Sequence, residues 1–445
     1  MRRPIALMVA ILLTPIAIAE PLAFVNVNVV PMSSETVLKQ QTVVVNDGVI
    51  TVVGPVDDVP IPRDARVVDG TDRFLMPGLA EMHAHVPGAG SDNIDRNFSL
   101  YVANGVTLIR GMLGQASHLE LREQLEQGSV FGPHLVTSGP SLNGRTVTGA
   151  ANGEQLVRDQ FNSGYDFIKI HPGLTAKEFE AIGNTAVELG MPFAGHVPVA
   201  AGIERALQLN MATIDHLDGY FAALLPADSD GGGGYGGFFD VLLADKIDAE
   251  RIPDIARTTA ESGTWNVPTE VLIEDRVNAV PVAELRSRPG MQFMPRETVD
   301  RWAATKEALL AEHDFDPEVA ALAIELRRSL IFELHKAGAG LLLGADSPQV
   351  FNVPGFSIHN ELAALVAAGL TPYEALRTGT ASVAEFLGSN TGIIAVGRSA
   401  DLVMLDANPL VDVRHAQRIH GVALRGVWHS SEELSRRLSR YVEDD

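Results

Sequence analysis

The sequence predicts an α/β protein, namely a (β/α)8, TIM-like barrel with a small composite β-sandwich domain built from both termini. Two observations carry this prediction. In the middle of the chain, eight short apolar segments alternate with helical patterns, which is typical of parallel strands connected by helices. At both ends, short β-rich runs are separated by turns, which indicates that the two ends complete one β-domain. Eight is the strand number of such a barrel.

Length and composition agree with this architecture. The chain has 445 residues, of which 46% are hydrophobic and 20% charged, as in globular proteins with a sizeable core. Its net charge of −22 has the wrong sign for binding phosphate backbones, so we expect no nucleic-acid partner. Because the chain contains no cysteine, it has neither disulfides nor thiolate ligands. Any metal must therefore be held by histidine, carboxylate or a modified side chain.

The N-terminus has the features of an export signal. Arg2 and Arg3 precede an apolar run over residues 5–19, and Ala17 and Ala19 form a small-residue cleavage site before Glu20. We therefore predict that residues 1–19 are a signal peptide, and that the protein is periplasmic or secreted without a stable membrane anchor. An uncleaved anchor is the alternative, although the run is shorter than the roughly 20 residues of a comfortable membrane span.

The two terminal regions supply the predicted β-domain, which we assign to residues 20–74 and 390–445. Asn46, Asp47 and Gly48 separate two β-rich runs, which is a strong signal for a hairpin turn. The predicted strands cover residues 24–30, 42–45, 49–53 and 65–68 at one end, and 392–394, 401–406 and 421–428 at the other.

The barrel is assigned to residues 75–389. Thr175 with Glu178 and Thr371 with Glu374 are capping boxes that mark two helix starts. We interpret the glycine-rich segment 228–237 as a flexible insertion, with a mobile lid as the alternative. The eight predicted strands cover residues 76–85, 105–110, 134–138, 165–171, 191–197, 212–216, 264–269 and 340–346.

Metal-competent side chains lie at the ends of these strands, where barrel enzymes carry their active sites. His83 and His85 are separated by one residue, so on a strand both point the same way. Neutral histidine is the commonest ligand for zinc-like ions. Lys169 lies inside an apolar strand, where a lysine must lose its charge or find a partner. The later strand ends add His196, His216 and Asp346.

These motifs resemble those of the amidohydrolase superfamily, in particular its imidazolonepropionase/prolidase-like branch with a binuclear metal site and a carboxylated lysine. The resemblance lies in residues 76–85, 167–170, 195–197, 214–216, 344–347, 359–362, 368–372, 374–376 and 399–403. It implies two divalent ions, most often zinc. His83, His85 and Asp346 would hold one ion, His196 and His216 the other, and N6-carboxylysine at Lys169 would bridge them. One ion beside an unmodified lysine is the alternative.

The same resemblance implies an exported metal-dependent amidohydrolase that acts on a dipeptide, an N-acyl amino acid or an aryl amide. Two ions would lower the pKa of a shared water, and Asp346 would transfer its proton to the departing amine. A cyclic amide, lactone or phosphoester is an alternative substrate, since the same site could attack any of them. An alternative function is that of a catalytically silent barrel that serves as a binding module, although all six ligands are present. A homo-oligomer is compatible with these features.

Four further side chains are candidate substrate contacts, and most of them could instead have a purely structural role. Tyr220 could contact a substrate carbonyl or carboxylate, or pack in the core. His171 shares a face with Lys169 and could line the pocket or support a ligand. Asn143 and Arg145 follow the third strand; Arg145 could bind a carboxylate with two hydrogen bonds, or be a solvated loop residue. Their loop lacks the glycine-rich, histidine-bearing segment expected in the branch, which argues against prolidase-type specificity.

Overall fold

The computed structural model describes residues 20–88, 90–91, 93–226 and 238–442. The predicted signal peptide and the glycine-rich segment 228–237 lie outside these residues. The described strands are β1 (Leu22–Val29), β2 (Leu38–Asn46), β3 (Val49–Pro55), β4 (Arg66–Asp69), β5 (Phe74–Pro77), β6 (Leu79–Ala84), β7 (Val106–Gly111), β8 (His134–Thr137), β9 (Ile168–Ile170), β10 (Phe193–Gly195), β11 (Thr213–Asp215), β12 (Trp265–Val267), β13 (Leu402–Leu405), β14 (Ile419–Leu424) and β15 (Val427–Ser430).

Helices separate most of the central strands. The described α-helices are α1 (Asn93–Ala103), α2 (Ser117–Glu126), α3 (Ala150–Ser163), α4 (Ala176–Leu189), α5 (Gly202–Gln208), α6 (Tyr220–Ala223), α7 (Ile252–Ser262), α8 (Glu270–Val277), α9 (Val282–Arg286), α10 (Arg296–Leu310), α11 (Pro317–Ala337), α12 (Phe356–Ala367), α13 (Pro372–Thr378), α14 (Ala381–Leu387) and α15 (Ser431–Leu438). Both predicted capping boxes are confirmed, at the starts of α4 and α13. Of the helices in the described ranges, none is both long and apolar enough to cross a membrane.

Both ends of the chain contribute to one eight-stranded sheet. Its order is β15-β14-β13-β5-β1-β2-β3, with β4 paired to β1. The strand β13 from the C-terminal region pairs with β5 from the N-terminal region, which joins the two ends. The rings of Phe24 and Trp428 meet edge to face across this join, 5.4 Å apart. The described strands form one sheet here rather than two facing sheets, so the predicted sandwich is not confirmed.

Local turns explain which predicted strands of this sheet are right and which two are wrong. Residues 421–428 are not one strand, because a turn at Arg425 and Gly426 separates β14 from β15. The hairpin between β2 and β3 is confirmed, with Asp47 and Gly48 both in the left-handed region that such a turn requires. The predicted strand at 392–394 is not formed. Gly392 has a φ of 76° and lies against the carbonyl of Thr380, so the chain turns there instead of extending.

Seven of the eight predicted central segments are strands, and all of their pairings are parallel. They form a three-stranded sheet, β6-β7-β8, and a four-stranded sheet, β9-β10-β11-β12. The eighth segment, 340–346, forms no continuous ladder. It pairs through the single bridge of Leu341 to Asn266, while Ser347 just beyond it bridges to Ala84. A further single bridge, Ser138 to Phe167, connects β8 to the start of β9.

Competing hydrogen bonds account for the broken ladder beside β6. The backbone N–H of Leu343 donates to the carbonyl of Thr378, and that of Ala80 donates to Gly379. The turn after α13 therefore inserts between β6 and the eighth segment at their N-terminal end. Further along, Met82 donates directly to Leu343. These contacts hold the eighth segment next to β6 without the regular pairing of a sheet.

Candidate metal centre

The structure brings all six predicted metal ligands to one region at the C-terminal ends of the central strands. His83 is in β6, Lys169 is in β9, and the remaining four residues directly follow strands or lie in the eighth segment. The ring centroids of His83 and His216 are 4.4 Å apart, and those of His196 and His216 are 4.7 Å apart. Only His85 among the six is more than slightly exposed.

The tightest group consists of His83, His85 and Asp346. One ligand atom from each lies within 4.8 Å of the other two, so these side chains could hold a metal ion. Oδ1 of Asp346 lies 3.1 Å from Nε2 of His85 and 3.9 Å from Nε2 of His83, yet it has no hydrogen-bond partner in the described residues. This geometry is expected of atoms that point at a common centre instead of at one another.

Three of the imidazoles have Nδ1 next to an oxygen atom of a neighbouring side chain. Nδ1 of His83 is 3.0 Å from Oδ2 of Asp215. Nδ1 of His196 is 3.0 Å from Oδ2 of Asp218. Nδ1 of His216 is 2.8 Å from Oγ1 of Thr269. The contacts of His196 and His216 are hydrogen bonds, which orient these rings and leave Nε2 as the ligand atom, as in many histidine metal sites. Nδ1 of His83 makes no hydrogen bond in the described residues.

Burial keeps these imidazoles neutral. It lowers the pKa of His83, His196 and His216 well below the usual value, and the nearby Lys169 lowers all three further. Burial also lowers the pKa of His171 to about 2. A neutral imidazole offers a free lone pair to a cation, so the cluster is ready to bind metal near neutral pH.

Lys169 is fully buried at the centre of the group. Its Nζ has no hydrogen-bond partner in the described residues, and the nearest carboxylate oxygen is Oδ2 of Asp215 at 3.8 Å. Burial lowers the lysine pKa to about 8, against the opposing effect of Asp215 and Asp346. A substantial fraction of the amine is therefore neutral near physiological pH, which is the form that can react with carbon dioxide.

Gly195 leaves the space that the Lys169 side chain occupies. A Cβ atom at this position would lie 2.9 Å from Nζ of Lys169 and 2.5 Å from the carbonyl oxygen of Ile170. The glycine also has a φ of 121°, which other residues rarely adopt. A glycine is therefore required before His196, because any larger residue would clash with Lys169 and with the backbone of Ile170.

The donor set fits cations. Four histidines, one aspartate and one lysine meet in a largely buried region. Three of their polar atoms, Nδ1 of His83, Nζ of Lys169 and Oδ1 of Asp346, lack hydrogen-bond partners in the described residues. Buried polar atoms without partners are costly, and those found in native sites usually have a function. A bound cation would satisfy Asp346 directly, and a carbamate on Lys169 would turn its nitrogen into part of an anionic ligand.

The structure also shows charged residues that sequence reasoning missed. Oε1 of Glu81 accepts the backbone N–H groups of His83 and Ala345, both at 2.9 Å. Arg110 is buried beneath the site and donates to Oδ1 of Asp215 at 3.3 Å. The signal that singled out Lys169, a charge inside an apolar strand, would have found all three of these residues. Asp218, which orients His196, is in a turn and gives no comparable signal.

The four candidate substrate contacts lie in different surroundings. The Tyr220 hydroxyl is buried and donates to Oδ1 of Asn266 at 2.8 Å, which favours the packing role. His171 stacks on His196 with a centroid distance of 5.0 Å. The side-chain oxygen of Asn143 accepts the backbone N–H of Arg145, which shapes their loop, and the Arg145 side chain is exposed.

An aromatic residue that the sequence did not suggest covers two of the imidazoles. The ring of Phe239 is 4.7 Å from that of His216 and lies almost parallel to that of His196 at 5.8 Å. Phe239 therefore forms an apolar wall on the side of the cluster held by these two histidines.

The chain is similar to known proteins both in sequence and in structure. The pattern of the amidohydrolase family matches residues 74–428. The chain is 23% identical over 404 residues to an ochratoxinase from Aspergillus niger, covering 85% of this chain and 79% of that protein. Among solved structures, bottromycin amidohydrolase has a TM-score of 0.72 at 25% identity, covering 95% of this chain and 91% of that chain. A Xaa-Pro dipeptidase with bound methionine has a TM-score of 0.64 at 17% identity, covering 92% and 100%.

These likenesses imply a TIM-barrel-like α/β fold for the central region. They also confirm the predicted enzyme class, a hydrolase that acts on C–N bonds. The match to the family pattern extends over most of the sequence and includes every residue of the metal-ligand cluster. The chain belongs to the amidohydrolase family.

Proposed function

We propose that the protein is a metal-dependent amidohydrolase that cleaves the amide or peptide bond of a small substrate, such as a dipeptide, an N-acyl amino acid or an aryl amide. The observation that carries this proposal is the convergence of the six side chains described above, five of which are buried. The likeness to an ochratoxinase and to bottromycin amidohydrolase, which extends over most of the chain, supports an amide as the bond that is broken.

Two divalent cations, most simply zinc, fit the arrangement. His83, His85 and Asp346 would hold the first, and His196 and His216 the second. Lys169, carboxylated on Nζ, would stand between them, because its side chain reaches the centre of the group and its pKa of about 8 makes the neutral amine available. When bound, such ions supply a water of lowered pKa and polarise the substrate carbonyl.

The chain's own residues would position the reactants and move the proton. Asp346 faces the centre of the site, and burial raises its carboxyl pKa, so it can accept a proton from the attacking water and deliver it to the nitrogen of the departing amine. The water oxygen would add to the carbonyl carbon as its proton passes to Asp346, and the C–N bond would break as Asp346 gives that proton to the nitrogen. Phe239 offers an apolar surface beside His216, which would favour substrates with a hydrophobic side chain or ring.

The setting of this site is part of the proposal. The single bridges at Leu341, Ser347 and Ser138 would complete a (β/α)8 barrel with the two parallel sheets, and residues 20–74 with 390–445 would form a separate domain.

The proposed export of the protein, with loss of residues 1–19, rests on the N-terminal sequence alone. N-terminal sequencing of the protein secreted by its host cell tests it, with Glu20 as the expected first residue.

The function is tested by screening the zinc-loaded protein against dipeptides, N-acyl amino acids, aryl amides and lactones. Asp346→Asn should abolish turnover, while replacement of Asp254, an exposed aspartate of α7 that pairs with Arg257, by asparagine should leave it unchanged. Hydrolysis of an amide by the wild type and the Asp254 variant supports the proposal. Turnover confined to lactones, or equal rates for the wild type and Asp346→Asn, would refute it.

A further inference from the structure

A cavity lies at the end of the central strands opposite the metal cluster. Its volume is about 600 Å³. It is bordered by residues that directly precede strands, including Phe167 before β9, Pro192 before β10 and Ala212 before β11. None of the six metal ligands lines it. Phe386 and Leu387 from α14 close one side of the cavity, so its wall comes from both the strands and a covering helix.

The cavity has the composition of a site for a small organic molecule. Its walls are apolar and aromatic, with Leu108, Phe167, Trp265 and Phe386 among them. Three exposed residues, Asp166, Asn210 and Gly263, lie at its mouth, so solvent and small solutes can reach it. Pockets of 300–1,000 Å³ with apolar walls and a few convergent polar groups are typical ligand sites.

Arg110 supplies the convergent polar group at the inner end. The residue is 1% exposed, and its guanidinium carbon lies 5.4 Å from the ring centroid of Phe167 and 5.6 Å from that of Phe386. Its Nε donates to the carbonyl of Met82. Its Nη2 donates to Thr213 and Asp215. Within the described residues Nη1 has no hydrogen-bond partner, so one N–H pair of a buried cation is left for a ligand.

The charges around the cavity favour an anion at this end. Arg110 is the one cation among the described residues that line the cavity. Asp166, the one carboxylate among them, lies at the mouth, where Arg122 binds both of its oxygens. Asp215 contacts Arg110 on the side away from the cavity, where its carboxylate also lies next to His83 and Lys169. A carboxylate that reaches Nη1 would form a charge-assisted hydrogen bond in a water-poor setting.

We propose that this cavity is a second binding site, separate from the metal centre, for a small monocarboxylic acid with an aryl or alkyl body. The carboxylate accepts a hydrogen bond from Nη1 of Arg110, and the apolar body packs between the aromatic rings of Phe167, Trp265 and Phe386. The site does not depend on the hydrolytic activity, because none of its lining residues contributes a metal ligand.

Isothermal titration calorimetry of the whole protein with 4-phenylbutyrate tests the proposal, with 4-phenylbutan-1-ol as the neutral probe of matched shape. Ala212→Phe places a ring in the cavity, and Leu387→Trp narrows it from the helix side in case the first variant folds poorly. Ala311→Phe adds the same ring at an exposed position outside the cavity. Circular dichroism verifies that each variant is folded.

The carboxylate should bind saturably, with one molecule per chain, and about tenfold or more tightly than the alcohol. Ala212→Phe and Leu387→Trp should each weaken binding by about tenfold or more, and Ala311→Phe should have no effect. Removal of metals with a chelator should leave binding unchanged, which separates this site from the proposed active site. Absence of saturable binding, equal affinity for the two probes, or loss of binding on chelation would overturn the proposal.

Discussion

The carboxylate of Glu81 accepts the backbone N–H of Ala345 at 2.9 Å, so a side chain of β6 performs the pairing that a regular ladder would provide to the eighth segment. The same oxygen accepts the N–H of His83, also at 2.9 Å. One buried residue therefore fixes the backbone beside two ligands of the candidate metal centre, His83 and Asp346. Burial raises the pKa of Glu81 well above its usual value.

Two replacements of Glu81 should show whether the stability of the fold depends on its hydrogen-bond acceptor or on its charge. Glu81→Leu leaves two buried N–H groups without a partner and should lower the free energy of unfolding by about 2–5 kcal/mol. Glu81→Gln retains a carbonyl oxygen and should cost less than about 1.5 kcal/mol. Urea unfolding of the metal-free protein measures both changes. Equal losses in the two variants would show that the charge, rather than the acceptor, matters.

Asp218 should act on metal affinity through His196. Asp218→Ala removes the oxygen that lies 3.0 Å from Nδ1 of His196, so the ring is no longer fixed, and zinc affinity should fall by about 10–100-fold. Competition with a zinc-binding dye measures the affinity. Asp248→Ala, which removes a partly exposed aspartate that caps a short 3-10 helix elsewhere, is the matched control. An unchanged affinity in Asp218→Ala would contradict the role given to this carboxylate.

Gly195→Ala should displace Lys169, because the new Cβ would lie 2.9 Å from its Nζ and closer still to a backbone carbonyl. We expect the protein to bind at least one metal ion fewer than the wild type and to lose activity by about a hundredfold or more. Gly190→Ala is a close control, since this glycine also has a positive φ but an added methyl group there would meet no atom within 4 Å. Metal analysis by mass spectrometry compares the two variants. A full metal complement in Gly195→Ala would refute the steric argument.

His134 should make the folded protein less stable at high pH. Burial opposes protonation, but hydrogen bonds to Asp401 and Glu126 raise its pKa to about 9. Because the folded-state pKa exceeds the unfolded value of about 6.5, this stabilisation is complete below pH 6.5 and is lost as the pH rises towards 9. The loss should be up to about 3 kcal/mol. Denaturant unfolding at pH 6 and pH 9 measures it.

The matched variant for this prediction is His134→Gln, which keeps a polar group but cannot titrate. Its unfolding free energy should fall less between pH 6 and pH 9 than that of the wild type. An identical fall in both proteins would assign the pH dependence to other groups.

Much of the candidate site could be predicted because its ligands follow one rule. Strands of a parallel barrel end on the same face, so His83, Lys169, His196 and His216 could be placed together from their positions at strand ends. Their partners were harder to find. Asp218 is in a turn, and Phe239 adopts a left-handed backbone conformation soon after the glycine-rich segment, so neither residue belongs to the alternating pattern of a strand.

The fold was predicted less completely where side chains or turns replace backbone pairing. The eighth segment reads as a strand, but Leu343 donates to Thr378 and Ala345 donates to the side chain of Glu81. The alternation of apolar and polar residues that indicates a strand cannot reveal such contacts, because these contacts depend on residues distant in the sequence. The turn at Gly392 likewise depends on a close approach to Thr380, which the neighbouring sequence does not indicate.

The most direct test of the central claim is the number of metal ions bound per chain. Protein purified with zinc and dialysed free of loosely bound metal should contain two ions per chain by mass spectrometry. His83→Ala and His216→Ala should each lower this number, and Lys169→Met should lower it as well. A wild-type protein that retains no metal, or a content unchanged by all three substitutions, would contradict a metal centre built from these side chains.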